Sequence, residues 1–180
     1  MARALSWLWT ESPVGCTSEL QVGFPPALST VDGDAGVMRT KTDLSVLESM
    51  YAAEGEYLAA GGPGKASFAP LAPYFAPDVV LHQAAALPYG GTWRGHDGME
   101  RFFVAMSQAW EAFEMVEQAY LATADPLVVL TQVQARARAT GRELEFPILQ
   151  TITVRDERIA GVRPFYWDTA AIAAACSAGA

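Results

Sequence analysis

At Glu114 the spacing of apolar residues changes from about 3.6 to 2. Before that point apolar side chains recur as on one face of a helix, and after it they alternate as on a strand with one buried side. The alternating part is punctuated by Asp125-Pro126, Thr140-Gly141 and Asp156-Glu157, all turn-forming pairs. Strands are therefore predicted near residues 115–124, 127–139, 142–154 and 158–167, joined in sequence order as an antiparallel meander.

Ahead of the meander, the spacing predicts a helix from about Thr42 to Ala60, where Leu44, Leu47, Tyr51 and Leu58 share a stripe. Gly61-Gly62-Pro63-Gly64 ends it. A short second helix is read over Ser67 to Phe75, and a third from Asp97 to Phe113, with Met99, Phe102, Phe103, Met106, Trp110 and Phe113 on one face. Between the last two lies Val79-Val80-Leu81, a run suited to a buried strand, ending in His82-Gln83. A loop with Pro88 and Gly90-Gly91 follows, and Asp97 with Glu100 three residues on has the spacing of a capping box.

The chain has 180 residues, of which 51% are hydrophobic and 18% charged, enough for one domain with a substantial core. A formal net charge of -8 argues against nucleic acid and against anionic membranes, both of which draw clustered Lys and Arg. No apolar run reaches the roughly 20 residues that span a bilayer, and Met1 to Trp9 is too short for a secretory signal. Cys16 and Cys176 stand far apart without metal-ligand spacing, which reads as two free thiols in a reducing cytoplasm. No metal and no cofactor is expected, since ligand spacing, a phosphate loop and a dinucleotide fingerprint are all missing. Residues 1–40 carry scattered Pro and Gly with no period, and read as an N-terminal extension that is poorly ordered or packs on a neighbouring subunit.

Some polar residues fall on apolar faces. Glu54 lies on the stripe of the first helix, either at its edge beside Gly55 or as a buried acid with a raised pKa. If Thr140-Gly141 is a two-residue turn, Arg138 faces Glu143 and Arg136 faces Glu145 on a solvated side. Thr131 and Gln150 then stand opposite each other on the apolar side, among Ala135, Ala137, Leu144, Phe146 and Ile148. A glutamine there needs a partner or a ligand, because an unsatisfied buried amide costs about 1–3 kcal/mol. Carried through an Asp156-Glu157 turn, the same register sets Arg163 beside Gln150 and puts Phe165 and Trp167 inward. Such an arginine would seek Glu54, Asp168 or an anionic ligand group. Only one of His82 and Gln83 can face inward. Asp168 reads as the N-cap of a closing helical turn, and His96 as structural.

YLAAGG ahead of FAPDVVLHQ, then LPYGGTWRGHDGMERFF, a long hairpin and a closing FYWDTAAI, resembles the SnoaL-like branch of the NTF2-like superfamily over Thr42 to Ala174. The resemblance implies an α+β cone for residues 41–180, with three N-terminal helices packed on a curved antiparallel sheet around an internal apolar cavity. It also implies a homodimer. The superfamily includes ketosteroid isomerase, polyketide cyclases, scytalone dehydratase, limonene-epoxide hydrolase, and members that only bind or dimerise. Gln83 stands where ketosteroid isomerases have their aspartate base and Glu54 where they have the oxyanion-hole tyrosine; their protonated aspartate falls on Gln150 when the Thr140-Gly141 turn anchors the match, which the apolar face favours, and on Leu149 when Pro147-Ile148 does. Phe165 replaces a catalytic aspartate of the epoxide hydrolases. These departures speak against steroid isomerisation and against that epoxide-opening triad.

The function expected is a cofactor-independent acid/base enzyme of the cyclase, isomerase or dehydratase type, acting on a hydrophobic small molecule such as a polyketide intermediate. The alternative is a non-catalytic binding or dimerisation module. On the first reading His82 or Glu54 moves a proton while Gln150 and Arg163 steady negative charge. Gln83, Tyr89, Trp93, Trp110, Phe146, Phe165 and Trp167 would hold the substrate.

Overall fold

The computed structural model describes the backbone of strand β1 (Leu5–Leu8) and residues 42–177. Helix α1 (Asp43–Ala59) starts at Thr42, whose hydroxyl accepts from the Ser45 amide at 3.2 Å. It stops at Gly61, which takes φ +111°, a conformation that side chains beyond glycine resist. The amides of Gly61 and Gly62 then close on the carbonyls of Leu58 and Tyr57, each at 3.0 Å. The inner face of α1 buries Val46, Leu47, Met50, Tyr51, Glu54 and Tyr57.

The second helix expected over Ser67 to Phe75 is only a 3-10 turn, Ala72–Tyr74. Pro70 and Pro73 remove the amide donors that a longer helix would need. Phe75 already opens strand β2 (Phe75–Gln83), which turns back through a tight loop into β3 (Gly91–Arg94). Gly90 closes this loop where backbone meets backbone: a Cβ there would lie 2.4 Å from the Ala84 carbonyl oxygen.

Helix α2 (Gly95–Ala109) begins earlier and ends earlier than the spacing predicts. Its N-cap is Arg94, whose side chain makes no capping bond, so Asp97 and Glu100 do not act as a capping box. Trp110 and Phe113 belong instead to strand β4 (Trp110–Ala122). A bulge between Trp110 and Ala112 sets both aromatics facing the core, which reproduces helical spacing within a strand.

With β5 (Leu127–Ala137), β6 (Glu143–Arg155) and β7 (Arg158–Tyr166), the seven strands form one curved sheet in the order β1-β4-β5-β6-β7-β2-β3. All neighbours run antiparallel except β2 and β7, which are parallel. The sheet is therefore mixed, not purely antiparallel. The chain leaves β2 and β3, crosses on α2 to the far side, and meanders back until β7 lies beside β2 in the same direction. β1, from the segment read as an extension, pairs with β4 of its own chain; the rest of residues 1–40, up to position 41, lies outside the described residues.

Two turns decide which side chains point inward. The β5–β6 connection spans residues 138–141, since Ala137 N donates to Arg142 O at 2.9 Å. Arg136 thus faces Glu143, with which it forms an ion pair, and Thr131 faces Ile148. The register differs by two from the sequence expectation, so every side chain keeps its predicted side. The β6–β7 turn is the expected Asp156-Glu157, both left-handed at φ 50° and 56°. A bulge between Thr153 and Val154 then slips the pairing by one. A slip of one reverses the faces, and Arg163, Phe165 and Trp167 point outward, not into the cone as expected.

Asp168 caps α3 (Thr169–Cys176), accepting from the Ala171 amide at 2.9 Å. No helix among the described residues is long and apolar enough to cross a membrane.

Candidate active site

Between the helices and the concave face of the sheet lies a cavity of about 110 Å³. Much of its wall is hydrocarbon and thioether: Met50 from α1, Met99, Phe102 and Met106 from α2, and Phe113 and Met115 from β4. Six polar residues interrupt it, namely Tyr51, Glu54, Gln83, Thr131, Gln150 and Tyr166.

Glu54 is buried at 5% exposure, one turn beyond Tyr51 on α1. Loss of water pushes its carboxyl up to about 8, so at neutral pH it is mostly a neutral acid. Of the two positions open to it, at the edge or buried, it takes the buried one. Its charge in turn raises the Tyr51 phenol, which burial has already shifted upward. Tyr51 reaches Gln118 on β4, and the Gln118 amide lies 3.5 Å from the Thr131 hydroxyl and 3.8 Å from the Met115 sulfur.

The strand register sets the remaining polar groups on the floor of the cavity. Gln118, Thr131, Ile148 and Tyr166 are successive partners across β4 to β7, and Val129, Gln150 and Pro164 form the row beside them. Neighbouring strands lie roughly 4.8 Å apart, so Gln150 and Tyr166 are within reach of one bound molecule. Gln83 is at the end of β2, and its Oε1 is buried without a hydrogen-bond partner among the described residues.

Glu54, Gln150 and Gln83 are thus brought together. Arg163 and His82 are not. His82 alternates away from Gln83, and its Nδ1 lies 3.4 Å from the Thr92 hydroxyl on β3. Tyr89, Trp110 and Phe146 are buried behind the wall, where Trp110 and Phe146 pack at 6.0 Å and Phe146 and Tyr166 at 6.2 Å. Trp93 gives its indole N–H to the Tyr89 carbonyl at 3.1 Å and packs on Phe102. Phe165 and Trp167 stand on the outer face at 52% and 86% exposure. His96 bonds the Phe75 carbonyl at 3.0 Å, a structural role as expected.

Sequence reasoning missed Tyr166 as a lining residue, because the bulge exchanged it for Phe165. Tyr51 was on the helical stripe and was read only as core. Among the described residues, no group of three His, Cys, Asp or Glu stands together as a metal site would require.

Helices α1 and α2 close a cavity against a curved mixed sheet, and the third helix, α3, follows β7 instead of standing with the first two as expected; this is the NTF2-like α+β fold. The chain belongs to the SnoaL-like domain family, whose model matches residues 56–162, more than half of the sequence. No curated protein matches it. Solved structures of similar fold include an NTF2-like protein from Burkholderia xenovorans LB400, with 23% identity, 76% of this chain and 98% of that chain covered, and a TM-score of 0.65. TerC, co-crystallised with polyporic acid, has 16% identity, coverage of 74% and 97%, and a TM-score of 0.61. A candidate SnoaL-like polyketide cyclase from Jannaschia sp. CCS1 has 16% identity, coverage of 81% and 100%, and a TM-score of 0.61. At these identities the likeness is one of fold.

Proposed function

We propose that the protein is a cofactor-independent acid/base enzyme of the cyclase, isomerase or dehydratase type, acting on a hydrophobic small molecule such as a polyketide intermediate. The observation that carries this reading is Glu54, a carboxyl held near pH 8 inside an apolar cavity. A group with that proton affinity can give a proton to a ligand oxygen in its acid form and take one from carbon in its ionised form. The Gln150 amide and the hydroxyls of Tyr51 and Tyr166 supply donors for an enolate oxygen. Met50, Met99, Met106 and Met115 give the wall a pliable apolar lining for a bulky substrate.

Several fold relatives fit this reading: one is a candidate polyketide cyclase and another is TerC with polyporic acid. The chemistry also agrees with a reducing, cytoplasmic setting, given two cysteines in the whole chain. A homodimer is supported by the outer sheet face, where Leu130, Leu149 and Phe165 are successive cross-strand partners and Trp167 follows.

The test is proton removal from 5-nitrobenzisoxazole, a neutral aromatic probe. A base takes its ring C–H proton, the electron pair forms the nitrile, and the N–O bond breaks to release a coloured phenolate. Elimination that rises with pH around a midpoint near 8 and vanishes in Glu54→Gln supports the enzyme. A rate equal to that of free carboxylate, unchanged by Glu54→Gln, leaves the non-catalytic binding module as the better reading.

A further inference from the structure

Strand β1 is the least anchored element around the cavity. The strands that line it, β2 and β4 to β7, are each paired on both sides, and β4 owes its second partner to β1 alone. β1 pairs with Ala112 to Met115, and two of those residues, Phe113 and Met115, line the cavity. It also reaches the helix above. Of the strands in the sheet, α1 comes closest to β1 and β7, so the helix that brings Met50, Tyr51 and Glu54 to the cavity has one of its two supports in β1.

Its attachment is slight. β1 is four residues long and stands at the edge of the sheet, and an edge strand of that length opens with far less free energy than global unfolding. Residues 9–41 separate it from Thr42, so it can leave β4 without pulling on the cap of α1. Size requires that something move. The cavity of about 110 Å³ is well below the roughly 300–1,000 Å³ of pockets that enclose drug-sized ligands. The lining strands are held by hydrogen bonds on both edges, which leaves β1 as the element that yields most readily.

We propose that β1 is the door of the cavity. Docked on β4, it holds α1 against the sheet and keeps water from Glu54; undocked, it opens the seam between α1 and β4 through which a ligand enters. The first half of this stands on the placement of β1, and the ligand half rests on the function proposed above. The other titratable groups near Glu54 leave its midpoint a report on water. Tyr51 on α1, Tyr120 on β4 and Tyr166 on β7 are phenols of raised proton affinity and stay neutral at pH 8. Glu48 on α1 acts on Tyr120 and Glu100 on α2 acts on Tyr57, whereas burial alone shifts Glu54. β2, β5 and β6 bring no titratable side chain to the cavity.

The experiment uses the full chain. Ser6→Pro with Trp7→Pro removes two successive amides, one of which must point at β4, because amides alternate along a strand. Carbon NMR of the Glu54 carboxyl should show a midpoint near 8 in the parent, and one lower by about two pH units in this variant as water reaches the group. A second variant locks the door. Ser6 and Glu114 stand opposite each other, so Ser6→Cys with Glu114→Cys, in a chain also carrying Cys16→Ser and Cys176→Ser, can close a disulfide. Stopped-flow tryptophan fluorescence should then show 2-acetonaphthone binding about tenfold more slowly to the oxidised than to the reduced form, with the Glu54 midpoint still near 8. The lock carries the test if the proline variant does not fold. A midpoint near 8 in the folded proline variant, or equal binding rates in the oxidised and reduced forms, overturns the inference and leaves the acid of the proposed function in place. A parent midpoint near 4.5 rejects both.

Discussion

Gln150 on β6 is paired with Pro164 on β7, and this pairing turns the adjacent Arg163 to the outside of the sheet. The cavity consequently holds amides and hydroxyls around Glu54 with no guanidinium facing them from β7. Replacing Arg163 by Ala should leave 5-nitrobenzisoxazole elimination within about twofold, because a side chain on the exposed face contributes little. Gln150→Leu should lower the rate by about tenfold, since it removes a donor that faces the reacting molecule. Steady-state kinetics on the two variants distinguishes this register from one without the bulge.

The buried acid has a signature in stability. Because the folded-state value of Glu54 is raised from 4.5 to about 8, the unfolded chain ionises first as pH rises. Its contribution is present in full below about 4.5 and is lost progressively up to about 8. Across that window the loss should reach a few kcal/mol, at about 1.4 kcal/mol for each pH unit. Glu54→Gln should remove this component, so urea denaturation of the variant against pH should be flatter than that of the parent, and the variant the more stable of the two at pH 8.

What could be read from the chain beforehand follows from which signals are local. The start of α1 near Thr42, the stop at Gly61-Gly62, the turn at Asp156-Glu157 and the cap at Asp168 each depend on a few adjacent residues, and each stands where the sequence placed it. The face of Gln150 survived an error in the turn because the error was an even number of residues. Arg163, Phe165 and Trp167 did not survive, because a bulge between Thr153 and Val154 slips β7 by one residue, and Gly161 at that slip is the single local hint of it. The Trp110 and Phe113 spacing misled for the same reason, a bulge imitating a helical turn. The parallel pairing of β2 with β7 joins residues some eighty positions apart, and local patterns carry no such information.

Gly90 gives a test of the loop that follows Gln83. A side chain at this position would meet the Ala84 and Leu87 carbonyl oxygens at 2.4 and 2.8 Å, and both belong to the backbone. Gly90→Ala should therefore destabilise the protein by about 3 kcal/mol. Chemical denaturation followed by tryptophan fluorescence measures it.

On the outer face, Phe165 and Trp167 are large, apolar and exposed. If they form the dimer contact, the double substitution Phe165→Ser and Trp167→Ser should convert the protein to a monomer in sedimentation velocity. A dimer that persists unchanged would place the subunit contact elsewhere.

The most direct measurement is carbon NMR of protein labelled at the glutamate side-chain carboxyl carbons, titrated from pH 4 to pH 9.5, with Glu54→Gln to assign the resonance. One carboxyl should titrate with a midpoint near 8 and disappear in the variant. A Glu54 resonance that titrates near the ordinary 4.5 would mean that water reaches the carboxyl, and the acid/base chemistry proposed for this cavity would have no group to perform it.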